Sequence, residues 1–258
     1  MSQNMKDVKE ITIPQGSVKK IEDSNGNTIW GSQSAFPYRR LEYITSNGTQ
    51  ALDTGVKCGR NSYMKIVFMD TAGLDSNQQG RGAVANNQRF ACGSNNGTVF
   101  FGLGNAWITR VEQTLNIKRT VGVQGPECNV LNNQIGTSNK KQGYLIDSTF
   151  TENTHTFPSG ITWYSVYLFG SRGNTSGSIQ NPLSCRLYYT ELGYTSGTAR
   201  NYNKRYYPVQ RKSDGKLGLY DTISNTFLSE LVSGSDANSL AAGPVADEYW
   251  DMTDVTIN

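Results

Sequence analysis

Polar and apolar side chains alternate with a period of two along most of this chain, and that period predicts strands rather than helices. Val8-Lys9-Glu10-Ile11-Thr12-Ile13-Pro14 alternates and then turns at Pro14-Gln15-Gly16. Val18-Lys19-Lys20-Ile21 and Thr28-Ile29-Trp30 flank Asp23-Ser24-Asn25-Gly26-Asn27. Asn-Gly between two such runs is a strong hairpin signal, because both residues tolerate positive φ. These short strands present Ile11, Ile13, Val18, Ile21, Ile29 and Trp30, an apolar set too large for a lone hairpin to bury. They are expected to dock on a partner, which makes residues 1–33 an anchor segment that includes its own linker.

From Phe36 onward the pattern predicts many short strands separated by Gly and Asn turns. They are Tyr63–Met69, Arg89–Cys92, Thr98–Phe101, Arg119–Val123, Tyr164–Gly170, Ser184–Tyr189 and Lys216–Tyr220. A loop at Gly93–Gly97 joins the second and third, and a strand–turn–strand follows over Asn129–Gly136, with its turn at Asn132-Asn133. Tyr164–Gly170 is the most apolar and is expected to be central. Regularly spaced short strands without a helical period point to an all-β sandwich or barrel over residues 34–246. Residues 247–258 form an acidic tail.

Composition supports that reading and narrows the chemistry. Of 258 residues only 36% are hydrophobic and 17% charged, while 27 are Gly and 14 are Tyr. Asn, Ser and Gly compete with helical bonding, whereas Thr and Tyr suit half-buried strands. The net charge of +3 comes from 24 basic against 21 acidic side chains, so there is no whole-molecule case for nucleic acid. The N-terminus has no apolar signal region, and no run approaches the roughly 18 residues of a membrane span. Cys58, Cys92, Cys128 and Cys185 are widely spread and read as buried thiols.

No cofactor, metal site or catalytic residue is expected. The single histidine, His155, reads as a solvated loop residue, and no nucleophile elbow occurs. Glycosidases need two carboxylates flanking the scissile bond. Glu248-Tyr249-Trp250-Asp251 comes closest but lies in the tail. Gly102-Leu103-Gly104 begins like a dinucleotide fingerprint and lacks its third glycine.

Arg200-Asn201-Tyr202-Asn203-Lys204-Arg205-Tyr206-Tyr207-Pro208 interleaves cations with aromatics. Such a run can stack on bases or sugar rings, or serve as an edge strand whose charges resist aggregation. Tyr202, Arg205 and Tyr206, with Arg172 and Asn174 of a Gly-Asn loop, are the candidate glycan contacts. Trp107 and Trp163 read as core residues first.

Three ordered stretches resemble a concanavalin-A-like (laminin-G-like) jelly-roll module found in tailed-bacteriophage structural proteins and in surface proteins of gut bacteria. Leu41–Gly55 is similar to its opening "EYI-STGTQYIDTG" strand pair, with Ala51 in place of an aromatic. Leu168-Phe169-Gly170-Ser171-Arg172 resembles "LFGAR", and Ser213–Asp221 with Ala242-Gly243-Pro244 resembles the closing "SDG-VGLYD … AGP". The resemblance spans about residues 38–245 and implies a jelly-roll β-sandwich preceded by the small N-terminal hairpin. It also implies a non-enzymatic virion protein of head-fibre, decoration or tail-fibre type. Such a protein is made in the host cytoplasm without a signal peptide and held to other virion proteins through the N-terminal strands. A homotrimer with weak affinity for host surface glycans is expected, with no nucleic acid and no membrane insertion. The alternatives are a glycan-binding surface module of a gut bacterium and a glycan hydrolase.

Overall fold

A computed structural model describes residues 20–22, 28–31, 36–71, 83–86, 90–95, 97–104, 106–157, 165–172, 179–180, 182–232 and 240–246. All regular structure among them is strand. The chain divides into two compact units, Met1–Tyr38 and Arg39–Asn258.

In the first unit, β1 (Lys20–Glu22) and β2 (Thr28–Gly31) pair antiparallel, Ile21 opposite Trp30, as the hairpin pattern predicts. Ile29 lies on β2, while Ile11, Ile13 and Val18 fall outside the described residues. β3 (Tyr38–Arg40) ends in the second unit and belongs to its larger sheet.

The second unit is built from two large, predominantly antiparallel sheets. The smaller sheet runs β10 (Ala106–Gln113), β9 (Thr98–Leu103), β8 (Phe90–Asn95), β7 (Ala83–Asn86), β14 (Ser165–Leu168), β5 (Leu52–Lys57). β15 (Ser171–Arg172) lies parallel beside β7 and pairs with β16 (Ile179–Gln180). The larger sheet runs β13 (Thr149–Glu152), β12 (Gly143–Ile146), β11 (Arg119–Gln124), β6 (Ser62–Asp70), β17 (Ser184–Ser196), β18 (Ala199–Arg211), β19 (Leu217–Asp221), β20 (Thr226–Leu228). β4 (Ile44–Asn47) lies beside the first half of β17 and pairs also with β21 (Ala241–Ala242).

One apolar core lies between the sheets. Leu52, Phe90, Phe101, Val166 and Leu168 enter it from the smaller sheet, and Met64, Ile66, Phe68, Val121, Leu187 and Leu219 from the larger. The period of two is visible in β6, where Met64, Ile66 and Phe68 are buried and Lys65, Val67 and Met69 are half-exposed. Across the core, the Phe101 ring stacks on Tyr144 with centroids 4.6 Å apart. The unit is therefore a β-sandwich. All four cysteines are buried free thiols, and burial raises Cys58 to about 12.

Several sequence expectations need correction. The Leu41–Gly55 stretch does not form a pair of adjacent strands, because β4 belongs to the larger sheet and β5 to the smaller. The loop expected over Gly93–Gly97 is shorter: Asn95 pairs with Thr98, which leaves Asn96 and Gly97 between them, Gly97 at φ 75°. Asn129–Gly136 forms turns instead of strand–turn–strand. There the Asn129 amide donates to the carbonyls of Gln134 (2.9 Å) and Thr137 (2.8 Å), so a side chain closes the loop where a ladder was expected. β14 is fully buried and interior to its sheet, in accord with the apolar run that predicts it.

A candidate tyrosine–cation recognition face

The outer face of the larger sheet carries the chemistry, and two bulges assemble it. In β17, Leu187 opposes Phe68 and Tyr189 opposes Val67, so Tyr188 is the extra residue and both tyrosines point outward. In β18, Gly193 opposes Tyr202 and Leu192 opposes Lys204, which leaves Asn203 unpaired. That extra residue reverses the alternation. Tyr202 and Arg205 share the outer face with Tyr207, whereas Tyr206 turns into the core and is 2% exposed. Of the three candidates on this strand, the structure brings Tyr202 and Arg205 together and removes Tyr206. β18 is also no edge strand: it lies between β17 and β19. Arg172 lies on β15 in the other sheet, opposite Ile179. Asn174 and Trp163 fall outside the described residues, and only the backbone of Trp107, on β10, is described.

Cations lie over the tyrosine rings of this face. Arg186 lies 4.7 Å from the Tyr43 centroid and Lys118 4.2 Å from that of Tyr188. Arg200 and Arg205 lie 4.5 and 5.0 Å from Tyr202, and Arg40 lies 5.1 Å from Tyr207. The rings also contact one another, Tyr189 with Tyr207 at 5.1 Å and Tyr43 with Tyr188 at 5.2 Å. Each such pair adds about 0.5–1 kcal/mol at an exposed site, so the layer holds its own geometry.

A buried acid organises the inner end. Glu191 is 3% exposed; its Oε1 pairs with Arg200 and its Oε2 accepts from the Tyr189 hydroxyl at 2.6 Å. Arg200 Nε donates to the Tyr63 hydroxyl at 3.0 Å. Burial, then the Glu191 charge, pushes the phenols of Tyr63 and Tyr189 well above their ordinary range, so both stay protonated donors. Gly193 leaves room for the Tyr63 ring, which an added Cβ would meet at 2.6 Å. Arg205 completes the link, donating to the hydroxyls of Tyr189 (3.3 Å) and Tyr207 (3.4 Å).

Beside this network opens a cavity of about 480 Å³. Arg40, Val67, Tyr188, Tyr189, Arg205 and Tyr207 line it from the sheet, and Leu41, Glu42, Lys118 and Ala246 from the flanking chain. Arg40, Lys118, Tyr188 and Tyr189 were missed by sequence reasoning, and Tyr207 entered it only as part of the Arg200–Pro208 run. Tyr188 and Tyr189 lie in the predicted strand Ser184–Tyr189, but nothing local shows which rings share a face. The other sequence candidates fall elsewhere. His155 is exposed in a loop, its carbonyl accepting from Gln142 Nε2 at 2.7 Å. Gly104, at φ 61°, turns β9 into β10, and a Cβ there would meet the Thr156 carbonyl at 2.4 Å. Its glycine serves that turn and close approach, not a phosphate loop. Among the described residues no three His, Cys, Asp or Glu side chains converge as metal ligands.

No family model matches the chain, and neither the curated proteins nor the solved structures yield a match.

Proposed function

We propose that the protein is a non-enzymatic structural component of a tailed-bacteriophage particle, a jelly-roll module held by its N-terminal strands and displaying the tyrosine–cation face toward host saccharides. The observation that carries the recognition half is the assembled face itself. Six tyrosines and five cations from β6, β17, β18 and the neighbouring chain share this face, and three of each (Tyr188, Tyr189, Tyr207, Arg40, Lys118 and Arg205) line a cavity of a size suited to a small ligand. The virion half rests on the three ordered sequence stretches. Leu41–Gly55 crosses between the sheets, Leu168–Arg172 turns β14 into β15, and Ser213–Asp221 forms the turn and strand of β19. The non-enzymatic reading is supported by the state of Glu191, whose two oxygens are both engaged, leaving it poorly placed to act as an acid or a nucleophile.

Immunogold labelling of purified particles with an antibody against the chain tests the assignment. Label is expected on the particle surface at a regular position. Particles free of the protein, with all of it recovered from the unassembled lysate fraction, would overturn the reading.

A further inference from the structure

We infer that β10, at the edge of the smaller sheet, is a contact between copies of this chain, two β10 strands pairing antiparallel about a two-fold axis at Val111. This contact is separate from the recognition face, which lies on the other sheet, and from the N-terminal anchor. It joins copies in pairs, whereas the resemblance implies a threefold assembly.

β10 ends the smaller sheet and, among the described residues, pairs with β9 alone. At eight residues it is longer than β5, β13 or β20, which end the sheets elsewhere. An edge strand offers its outer N–H and C=O groups to any second strand. The alternation along it is regular. Ile108, Arg110 and Glu112 are half-exposed on the core side, where Ile108 packs on the core and the Arg110 guanidinium lies 5.7 Å from the Tyr144 centroid. Thr109, Val111 and Gln113 face outward. Val111 is 84% exposed, against 47% for Val245, the next most exposed large apolar side chain among the described residues. A second strand laid along this edge removes that side chain from water.

Single exposed apolar groups are common, and charge is what selects the partner here. Thr109 opposes Phe100 and Gln113 opposes Thr98, so Arg110, Val111 and Glu112 form a bulge against β9. Bulges and inward-turned charges deter promiscuous edge pairing. This arrangement leaves one register open to a second copy. With Val111 on the two-fold axis, each Arg110 lies opposite the second copy's Glu112, and each Thr109 opposite its Gln113. An antiparallel register centred on Arg110 or on Glu112 sets like charges opposite, as does in-register parallel pairing. Within one copy, Arg110 Nε and Glu112 Oε2 stand 3.9 Å apart, and neither atom has a hydrogen-bond partner. The two groups are thus incompletely satisfied alone, and the opposite charges of a second copy complete them.

The test introduces single cysteines into the full chain and reads linked dimer on a non-reducing gel after mild oxidation. Residues opposite one another across antiparallel strands have Cα atoms about 4.5–5.5 Å apart, within reach of a disulfide. The four native thiols are buried and should stay silent. Val111→Cys should link to its counterpart at least about tenfold faster than Ile223→Cys, an exposed control on the turn after β19. Thr109→Cys mixed with Gln113→Cys should link to each other in preference to either alone, which a threefold contact through Val111 does not give. Arg110→Glu should slow linkage through Val111→Cys by about fivefold or more, and adding Glu112→Arg should restore it, because the reversed charges again meet their opposites. That rescue separates lost pairing from lost folding. Val111→Cys linking no faster than the control would overturn the contact. Thr109→Cys linking to itself as readily as to Gln113→Cys, or a double reversal that stays slow, would overturn the two-fold register and the proposal with it.

Discussion

Truncation of Phe101 to Ala should destabilise the sandwich by about 3–5 kcal/mol, the usual cost of deleting a buried aromatic. Phe101 is fully buried on β9 of the smaller sheet, and its ring stacks at 4.6 Å on Tyr144 of β12 in the larger. The substitution removes both the transfer energy of the ring and the partner of Tyr144. The cavity cannot collapse easily, because its walls are strands held by ladders on both sides. For a unit of this size the loss corresponds to a fall in Tm of roughly 10 °C. Urea unfolding gives the value directly. A loss under about 1 kcal/mol would mean that the two sheets do not share a core at this point.

The second large effect is expected at Asp221. Its carboxylate is fully buried and closes the turn after β19. It accepts from Lys204 Nζ at 2.8 Å, from the amides of Arg205 (2.9 Å), Ile223 (3.1 Å) and Ser224 (3.2 Å), and from the Ser224 hydroxyl. Asp221→Ala should cost about 3 kcal/mol at neutral pH, since removing one partner of a buried pair strands the others. Lys204 remains 22% exposed and can turn its ammonium to water, which keeps the loss at the lower end of the range for such pairs. Burial alone would raise this carboxyl's pKa, but the Lys204 ammonium, the Ser224 hydroxyl and the amides overcome it and hold the pKa below the ordinary 3.8. A lowered folded-state pKa gives stability that is complete above the unfolded-state value and is lost as pH falls through the folded one. The gap between wild type and Asp221→Ala should thus be full at pH 7 and narrow only below about pH 3.8. Urea unfolding at pH 7 and pH 3 checks this; a gap that stays constant, or widens in acid, would contradict it.

Asp221 also shows how far the sequence could be read. The strand β19 at the end of Ser213–Asp221 follows from alternation, yet nothing in the string reveals that its last acid ties down Lys204, seventeen residues away. Strands such as β6 and β14 were legible because burial on one face or both imposes its own pattern on neighbouring residues. The face of Tyr202, Arg205 and Tyr206 was not, because one unpaired residue, Asn203, reverses every assignment that period-two counting makes beyond it. The same holds for Tyr188, which reaches the outer face through a bulge set by its pairing with β6. Cation–aromatic pairs such as Arg40 with Tyr207 and Lys118 with Tyr188 join segments that only the folded sheet brings together. The turns at Asn129–Gly136 were misread as strands because a buried amide can satisfy loop carbonyls as a ladder would.

The central claim is that the N-terminal strands hold the sandwich on a virus particle, and deletion of residues 1–33 tests it most directly. Isolated two-stranded hairpins are marginal in water, and the proposal is that this one is stabilised by docking on another virion protein. Phage lacking the gene would be complemented with the truncated version, and purified particles examined by quantitative mass spectrometry. The account predicts that the truncated protein stays soluble in the lysate and is absent from particles, while the full-length chain is incorporated. Truncated protein present in particles at the full-length abundance would contradict it.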